Sequence, residues 1–209
     1  MSRQLLLLRH GRTAYNASGR FQGQVDVPLD DVGVVQSARV APLIAAHRPV
    51  AIVSSDSSRA VETARPIAEL LGLDVLLDDN LREIDIGGWS GLTLEEVKEA
   101  FPQEHADWIN GSREQLRRGG GETYGEVGAR AFVAVWPLLD GPSTEIVLAV
   151  THGGTARSLI DLMLGIPVRA RHVLGGLPNA AWSRLHEGRF GWRLAEHAVT
   201  ADLGIPPAS

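Results

Sequence analysis

Two histidines in this sequence stand at the end of an apolar run and directly before a glycine. His10 follows four leucines and an arginine, and His152 follows the sequence IVLAVT. A third apolar run, AIVSS, is followed a few residues later by Arg59. A neutral imidazole can act as a nucleophile, and a guanidinium can bind two oxygens of an oxyanion at once. Together these residue types are suited to a tetrahedral dianion such as the phosphate of a monoester.

The apolar pattern predicts strands that alternate with helices. The predicted strands cover residues 4–8, 50–55, 74–77 and 144–150, and residues 181–185 and 189–194 are expected to form a hairpin. The predicted helices cover residues 31–47, 58–71, 94–100, 124–139 and 154–164. This order is typical of an α/β domain in which helices cover both faces of a largely parallel sheet.

Three polar clusters follow the buried strands of this predicted sheet. They are RHGRT, SSDSSR and THGG. Ligands of such sheets bind beyond the carboxyl ends of the strands, so we expect the clusters to meet at one edge. The helix that starts near Gly154 is expected to direct its first amides into the same pocket. Residues 111–121, GSREQLRRGGG, are expected to form a flexible basic loop.

Composition limits the classes of protein to which the chain can belong. The 209 residues, 44% hydrophobic with a net charge of −5, predict one globular domain over residues 1–209 that does not bind nucleic acid. The absence of cysteine excludes disulfides, thiolate zinc sites and a cysteine nucleophile. Lys98 is the only lysine, so an anion site must be built from arginine. Because the apolar runs are short and no signal sequence is recognisable, we expect no membrane contact and a cytoplasmic location.

Four stretches of the chain carry a resemblance to a known family. They are RHGRTAYN, SSDSSRAVETA, LREIDIGGWSGLT and VTHGGT. In this order they resemble the histidine phosphatase superfamily, in its phosphoglycerate mutase-like group, over nearly the whole chain. The resemblance implies a three-layer α/β sandwich with a mostly parallel central sheet. It also implies catalysis without a metal or an organic cofactor.

The resemblance assigns catalytic roles to five residues. His10 is implied to attack phosphorus and to form a phosphohistidine. Arg9, Arg59 and His152 are implied to neutralise the phosphate oxygens. Glu83 matches the proton donor, which protonates the departing alkoxide and later takes a proton from water. The implied reaction is the hydrolysis of a small phosphorylated metabolite, such as a sugar phosphate or a phosphoglycerate derivative.

Five further residues are expected to contact the substrate. Asn16 matches the family's asparagine after the first motif and is expected to donate to phosphate. Gln22 and Gly23 lie on the following loop, where family members contact substrate. Thr13 and Gly153 belong to the two histidine motifs and are expected to contact it as well.

Several arginines lie outside the motif positions. Arg12 stands where the family commonly has Glu or Gln, and it is expected to add charge near the mouth of the site. Arg113, Arg117 and Arg118 are interpreted as solvated loop charges, or alternatively as groups that reach a second anionic group on the substrate, such as a carboxylate.

Alternative functions remain open at this point. One is a cofactor-dependent phosphoglycerate mutase, which would have to protect the phosphohistidine from water. Another is a catalytically silent phosphate-binding or scaffold protein. A metal held by His10 and His152 is disfavoured, because two nearby arginines and the lack of carboxylate ligands make a poor cation site. The segment GGLPNAAWSRL at 175–185 resembles a stretch of glucosyl-3-phosphoglycerate phosphatases, a group within the superfamily whose members are typically homodimers.

Overall fold

The computed structural model describes residues 3–111, 115–140 and 145–201. Its strands are Gln4–Arg9 (β1), Ala51–Ser54 (β2), Val75–Leu77 (β3), Ile146–Thr151 (β4), Trp182–Gly188 (β5) and Gly191–Val199 (β6). Its α-helices are Ala14–Ala17 (α1), Asp31–Ala45 (α2), Ser58–Leu71 (α3), Leu94–Ala100 (α4), Pro102–Ile109 (α5), Tyr124–Leu139 (α6) and Gly153–Leu164 (α7). Within these ranges, no helix has the length and apolar character needed to cross a membrane.

The strands form one sheet in the order β3-β2-β4-β1-β5-β6. Strands β1 to β4 pair in parallel, and β5 and β6 add an antiparallel hairpin beside β1. The predicted α/β sandwich with a mostly parallel central sheet is therefore confirmed. Thr144, at the start of the predicted fourth strand, lies outside the described residues. A single domain over residues 1–209 stays a prediction.

The leucines of β1 divide the interior into two cores. Leu5 and Leu7 pack in one core with residues of α6 and α7, whereas Leu6 and Leu8 pack in the other with residues of α2 and α3. All four side chains are inaccessible to solvent. Burying one leucine completely stabilises a fold by about 1.5–3 kcal/mol, so β1 is anchored from both faces of the sheet. This anchoring fixes the position of the polar residues that follow the strand.

The carboxyl ends of three parallel strands lie side by side, as the sequence predicts. In the pairing of β1 with β4, Arg9 is opposite Thr151. In the pairing of β2 with β4, Ser54 is opposite Val150. The segments that leave these three strands therefore start within one small region of the sheet edge.

The end of the loop at 111–121 is packed closely against another segment of the chain. A Cβ atom at Gly87 would lie 2.0 Å from the carbonyl oxygen of Gly119, and one at Gly121 would lie 2.1 Å from that of Asp85. Residues 119–121 are thus packed backbone to backbone against the segment that follows Glu83. A flexible loop does not fit the close packing of residues 119–121, whose glycines permit this approach, and for the other residues of the loop flexibility stays a prediction.

A second close approach fixes the loop that carries His10. A Cβ atom at Gly33 of α2 would lie 2.1 Å from the carbonyl oxygen of Arg12, and one at Gly11 would lie 2.6 Å from the carbonyl oxygen of Gly33. Both neighbours are backbone atoms, so no change of rotamer could relieve the overlap. The loop after β1 is therefore held against the start of α2.

We expect Gly33→Ala to lower the free energy of unfolding by about 1–3 kcal/mol, because the added methyl group must push two backbone segments apart. The measurement is urea unfolding followed by circular dichroism. The matched control is Gly125→Ala in α6, where a Cβ atom would meet no other atom within 4 Å. The control should raise stability by up to about 1 kcal/mol, because alanine favours the helix. Equal stability of the two variants would contradict the close packing at Gly33.

Candidate active site

His10 is the first residue after β1, and it is only 3% exposed. Its Nδ1 lies 2.7 Å from the carbonyl oxygen of Gly11. A carbonyl oxygen can only accept, so Nδ1 must carry the hydrogen and the lone pair must be on Nε2. His10 lines a cavity of about 240 Å³. This tautomer is the one in which Nε2 can act as a nucleophile.

His152 holds the corresponding position after β4, and its ring centroid is 5.1 Å from that of His10. Arg59 donates from Nε to His152 Nδ1 at 3.2 Å, so Nε2 carries the hydrogen and donates to Ser55 Oγ at 2.9 Å. His152 is fully buried and does not line the cavity. In this arrangement the only N–H group of His152 donates to Ser55, and the ring orients Arg59 through Nδ1. The role of His152 toward phosphate stays a prediction.

Burial lowers the pKa of both buried histidines well below the ordinary value of 6.5. The positive charges of Arg9 and Arg59 add to this effect for each ring. For His10 the hydrogen bond to Gly11 acts in the opposite direction but is the smallest contribution. His10 is therefore neutral at neutral pH and needs no deprotonation before it can attack an electrophile.

Two guanidiniums flank the cavity without a carboxylate partner. Arg59 is fully buried and donates to the carbonyl oxygens of Val25 at 2.9 Å and Gly23 at 3.0 Å. Arg9 donates to the carbonyl oxygen of Leu177 at 2.6 Å. Desolvation lowers the pKa of Arg59 to about 10, so it still carries its charge at neutral pH. Neither arginine forms an ion pair within the described ranges, which leaves both charges available to an anion.

The Glu83 carboxylate lines the same cavity and is held by the first turn of α7. Its Oε2 accepts from the Gly154 amide at 3.0 Å, and its Oε1 accepts from the Thr155 amide at 3.0 Å. The sequence analysis expects the first amides of this helix to point into the pocket, where an anion could accept from them. These two amides instead bind Glu83, because the positive end of a helix dipole stabilises a carboxylate.

The cavity gathers most of the residues that the sequence predicts for the site. Those that line it are Arg9, His10, Asn16, Gln22, Gly23, Arg59 and Glu83. The structure does not bring Thr13, His152 or Gly153 to its surface. Their roles, like those of the lining residues, stay predictions.

Thr13 lies beneath the cavity and orients two lining residues. It is fully buried at the N-cap of α1, and its amide donates to Asn16 Oδ1 at 3.2 Å. Asn179 donates to the same Oδ1 at 3.0 Å, so the Asn16 amide nitrogen is the group left for the cavity. The Gln22 side chain takes the amide orientation in which both of its ends have a hydrogen-bond partner. Its nitrogen then donates to Thr13 Oγ at 2.9 Å, and its oxygen accepts from Arg59 Nη1 at 2.6 Å. Thr13 therefore positions Asn16 and Gln22 and is not exposed to a substrate.

The loop arginines have different environments. Arg113 lies outside the described residues. Arg117 pairs with Glu126 at the surface and does not line the cavity, which fits the interpretation as a solvated charge. Arg118 lines the cavity and is 8% exposed. For Arg118 the interpretation as a solvated charge is therefore wrong.

Arg12 does not add charge at the mouth of the cavity. Its Nε donates to Asp30 Oδ2 at 2.8 Å, and it is not a lining residue. The carboxylate at the N-cap of α2 neutralises this guanidinium, so the expectation from the sequence is wrong.

Sequence reasoning does not identify several residues that support the site. Asn179 donates to the carbonyl oxygens of His10 at 3.1 Å and Gly11 at 3.2 Å, and the resemblance of segment 175–185 is the only signal for it. Arg130 of α6 donates to the carbonyl oxygen of Glu83 at 3.0 Å. Arg171 lines the cavity from the turn Val168–Val173, and no motif or periodicity in the sequence indicates this.

We expect His10 to stay neutral, with hydrogen on Nδ1, at pH 6. Its pKa is lowered below 6.5, so protonation requires a more acidic solution than for a free histidine. The measurement is a titration of ¹⁵N-labelled histidine by NMR, with assignment by the loss of one signal in His10→Gln. An imidazolium signal for His10 at pH 6, or hydrogen on Nε2, would contradict the assigned tautomer.

Comparisons with known proteins bear on this site. Residues 5–200 match the family model described as the histidine phosphatase superfamily, branch 1. A glucosyl-3-phosphoglycerate phosphatase of Mycolicibacterium vanbaalenii is 38% identical over 190 residues, which cover 88% of this chain and 84% of the relative. A probable phosphoglycerate mutase of Yersinia pestis is 33% identical over 208 residues, which cover 97% of this chain and 96% of the relative.

Solved structures agree with this relationship. A mycobacterial glucosyl-3-phosphoglycerate phosphatase in complex with VO3 superposes with a TM-score of 0.86 at 34% identity, and the match covers 95% of this chain and 100% of that one. The residues that match the family model, 5–200, include the strands and helices that build the cavity. Since the family model spans nearly the whole chain, the protein belongs to the histidine phosphatase superfamily, branch 1, as its four motifs predict.

Proposed function

We propose that the protein is a phosphomonoesterase that works through a phosphohistidine at His10. The observation that carries this proposal is the neutral His10 ring, with its lone pair on Nε2, in a cavity beside Arg9 and Arg59, which have no carboxylate partner in the described residues. Positive charge that is fixed before substrate arrives stabilises the equatorial oxygens during phosphoryl transfer.

In the first half-reaction, His10 Nε2 attacks phosphorus while the bond from phosphorus to the ester oxygen breaks. Arg9 and Arg59 neutralise the phosphoryl oxygens, and the Asn16 amide donates to one of them. Glu83 acts here in its protonated form, which the second half-reaction regenerates, and it gives its proton to the departing alkoxide, which leaves as an alcohol. The products of this step are the alcohol, the phosphorylated His10 and the Glu83 carboxylate.

In the second half-reaction, water attacks the phosphorus of phosphohistidine and the bond to His10 Nε2 breaks. Glu83 accepts a proton from the water, so inorganic phosphate is released and the carboxyl group is protonated for the next turnover. The amides of Gly154 and Thr155 hold Glu83 in place for both steps.

The substrate that we propose is a phosphoglycerate derivative, with glucosyl-3-phosphoglycerate as the leading candidate. The support comes from the relatives of that name at 37–38% identity. The relative that is named a probable phosphoglycerate mutase favours mutase activity as the second candidate. A catalytically silent phosphate-binding protein is the third candidate, and the assays below distinguish these three functions.

We propose a cytoplasmic enzyme that acts on a small molecule without a metal or organic cofactor and that forms a homodimer. Light scattering coupled to gel filtration measures the oligomeric state. Assays in EDTA measure any requirement for a metal ion.

We expect His10→Ala to lose phosphate release by roughly 10³-fold or more, because the covalent route is removed. The assay measures inorganic phosphate from glucosyl-3-phosphoglycerate, 3-phosphoglycerate, sugar phosphates and nucleoside monophosphates, with EDTA present. The matched control is His186→Ala, since His186 lies in β5 opposite Gln4, at the amino end of β1. Full activity in His10→Ala would contradict the proposed phosphohistidine at His10. Isomerisation of 3-phosphoglycerate faster than phosphate release would identify a mutase, and an inert wild type would favour the silent protein.

We expect Glu83→Gln to lose roughly 10²–10⁴-fold in turnover of alkyl phosphates, because no group protonates the alkoxide. With 4-nitrophenyl phosphate, whose leaving group needs no proton, the variant should still be phosphorylated. It should then release one equivalent of nitrophenol in a burst and accumulate phosphohistidine. The measurement is stopped-flow absorbance with mass spectrometry of the quenched enzyme. Equal losses for both kinds of substrate, without a burst, would remove Glu83 from the role of proton donor.

A further inference from the structure

The cavity has a second group of cationic residues that the proposed mechanism does not use. Arg118 and Arg171 both line it, together with the ring of Tyr124. The Arg171 guanidinium carbon is 4.0 Å from the centre of that ring, and the Arg118 guanidinium carbon is 5.2 Å from it. Both arginines are 8% exposed. Two guanidiniums thus share one aromatic ring in the wall of the cavity.

These charges are not balanced by the carboxylates around them. Arg171 pairs with Asp161 at 2.7 Å, but Asp161 also pairs with Arg157 at 3.0 Å. One carboxylate therefore serves two guanidiniums. Arg118 forms no ion pair with any residue that the structure describes. Keeping a guanidinium away from water without a counter-ion is unfavourable, so this group is poised to bind an anion.

This second group lies close to the reacting centre. Arg171 Nη2 contacts the carbonyl oxygen of Gly154 at 3.4 Å, and the amide of the same residue donates to Glu83 at 3.0 Å. A single residue thus separates Arg171 from the proposed proton donor. A ligand that contacts Arg171 and also places its phosphate beside Glu83 must carry its second anionic group only a few bonds from that phosphate.

We propose that Arg118 and Arg171 form a second anion subsite, which binds the carboxylate of a substrate whose phosphate lies beside His10. This inference rests on the proposed phosphatase function and deepens it, because it selects phosphorylated carboxylic acids over neutral phosphorylated alcohols. A guanidinium fork matches the two oxygens of a carboxylate. Asp161 and the Tyr124 ring fix Arg171, which reduces the entropy lost when the carboxylate binds.

The test compares 3-phosphoglycerate with glycerol 3-phosphate, which differ only in that a hydroxymethyl group replaces the carboxylate. We expect wild type to favour 3-phosphoglycerate in kcat/KM. In Arg118→Gln this preference should fall roughly 10- to 100-fold, as for loss of a charge-assisted hydrogen bond, while turnover of glycerol 3-phosphate stays within about threefold. Arg118→Gln leaves no described carboxylate unpaired, so the variant should fold.

Two further variants complete the design. Arg189→Gln is the matched control, since Arg189 is exposed and contacts the Phe190 ring away from the cavity, and it should keep the wild-type preference. Arg171→Lys keeps a charge beside Asp161 but loses the fork, and it should reduce the preference with little effect on glycerol 3-phosphate.

An unchanged preference in Arg118→Gln would overturn the subsite, and so would an equal loss for both substrates. A selective loss for fructose 1,6-bisphosphate, with no loss for 3-phosphoglycerate, would show that the subsite takes a second phosphate and would overturn the assignment to a carboxylate. If wild type hydrolyses no monoester, the proposed function fails by itself. Calorimetry then tests the subsite through binding alone. If wild type binds 3-phosphoglycerate more tightly than glycerol 3-phosphate, and Arg118→Gln loses this difference, the subsite is supported. Equal binding of the two compounds by wild type would overturn it.

Discussion

The structure depends on keeping guanidinium charge buried beside a neutral imidazole without cancelling that charge. Backbone carbonyl groups meet this constraint, because their dipoles orient a guanidinium but leave it with a full net charge. Arg59 is held by the carbonyl oxygens of Gly23 and Val25, and Arg9 by that of Leu177. Such partners work only if the loops that present them are rigid. A Cβ atom at Gly23 would lie 2.6 Å from Ile86 Cγ1, so the segment that presents one of these carbonyl groups is packed closely against Ile86.

The same constraint explains how Glu83 is placed. A carboxylate near two unpaired arginines is attracted to them, and direct pairing would fill the space that a phosphate needs. The amides of Gly154 and Thr155 compete for its oxygens and hold it on the wall of the cavity. Arg130 fixes the backbone of the same residue through its carbonyl oxygen. The helix N-terminus thus keeps the proton carrier separate from the groups that bind the anion.

Local patterns in the sequence predict the sheet and the centre of the site, because each strand and the polar cluster that follows it is a pattern of adjacent residues, and a parallel sheet brings the ends of its strands together. The leucines of β1 alternate between two cores, and the strand ends at Arg9, directly before His10. The rest of the site depends on contacts between distant segments. Asn179 reaches His10 across 169 positions, and Arg171 reaches the cavity from a turn without a motif. No periodicity records such contacts, so the sequence alone could not place Arg171 or remove Thr13 from the cavity surface.

The buried position of His152 follows from the same balance of charge. A protonated ring 5.1 Å from His10 would add a further positive charge beside Arg9 and Arg59 and would hold a released phosphate more tightly. Burial and the neighbouring arginines keep the pKa of His152 low, and Ser55 takes its only N–H group. The lone pair on Nδ1 then accepts from Arg59 and sets the direction of that guanidinium. A neutral histidine thus orients the Arg59 guanidinium as a carboxylate acceptor would, but it does not cancel the positive charge, which stays available to the substrate.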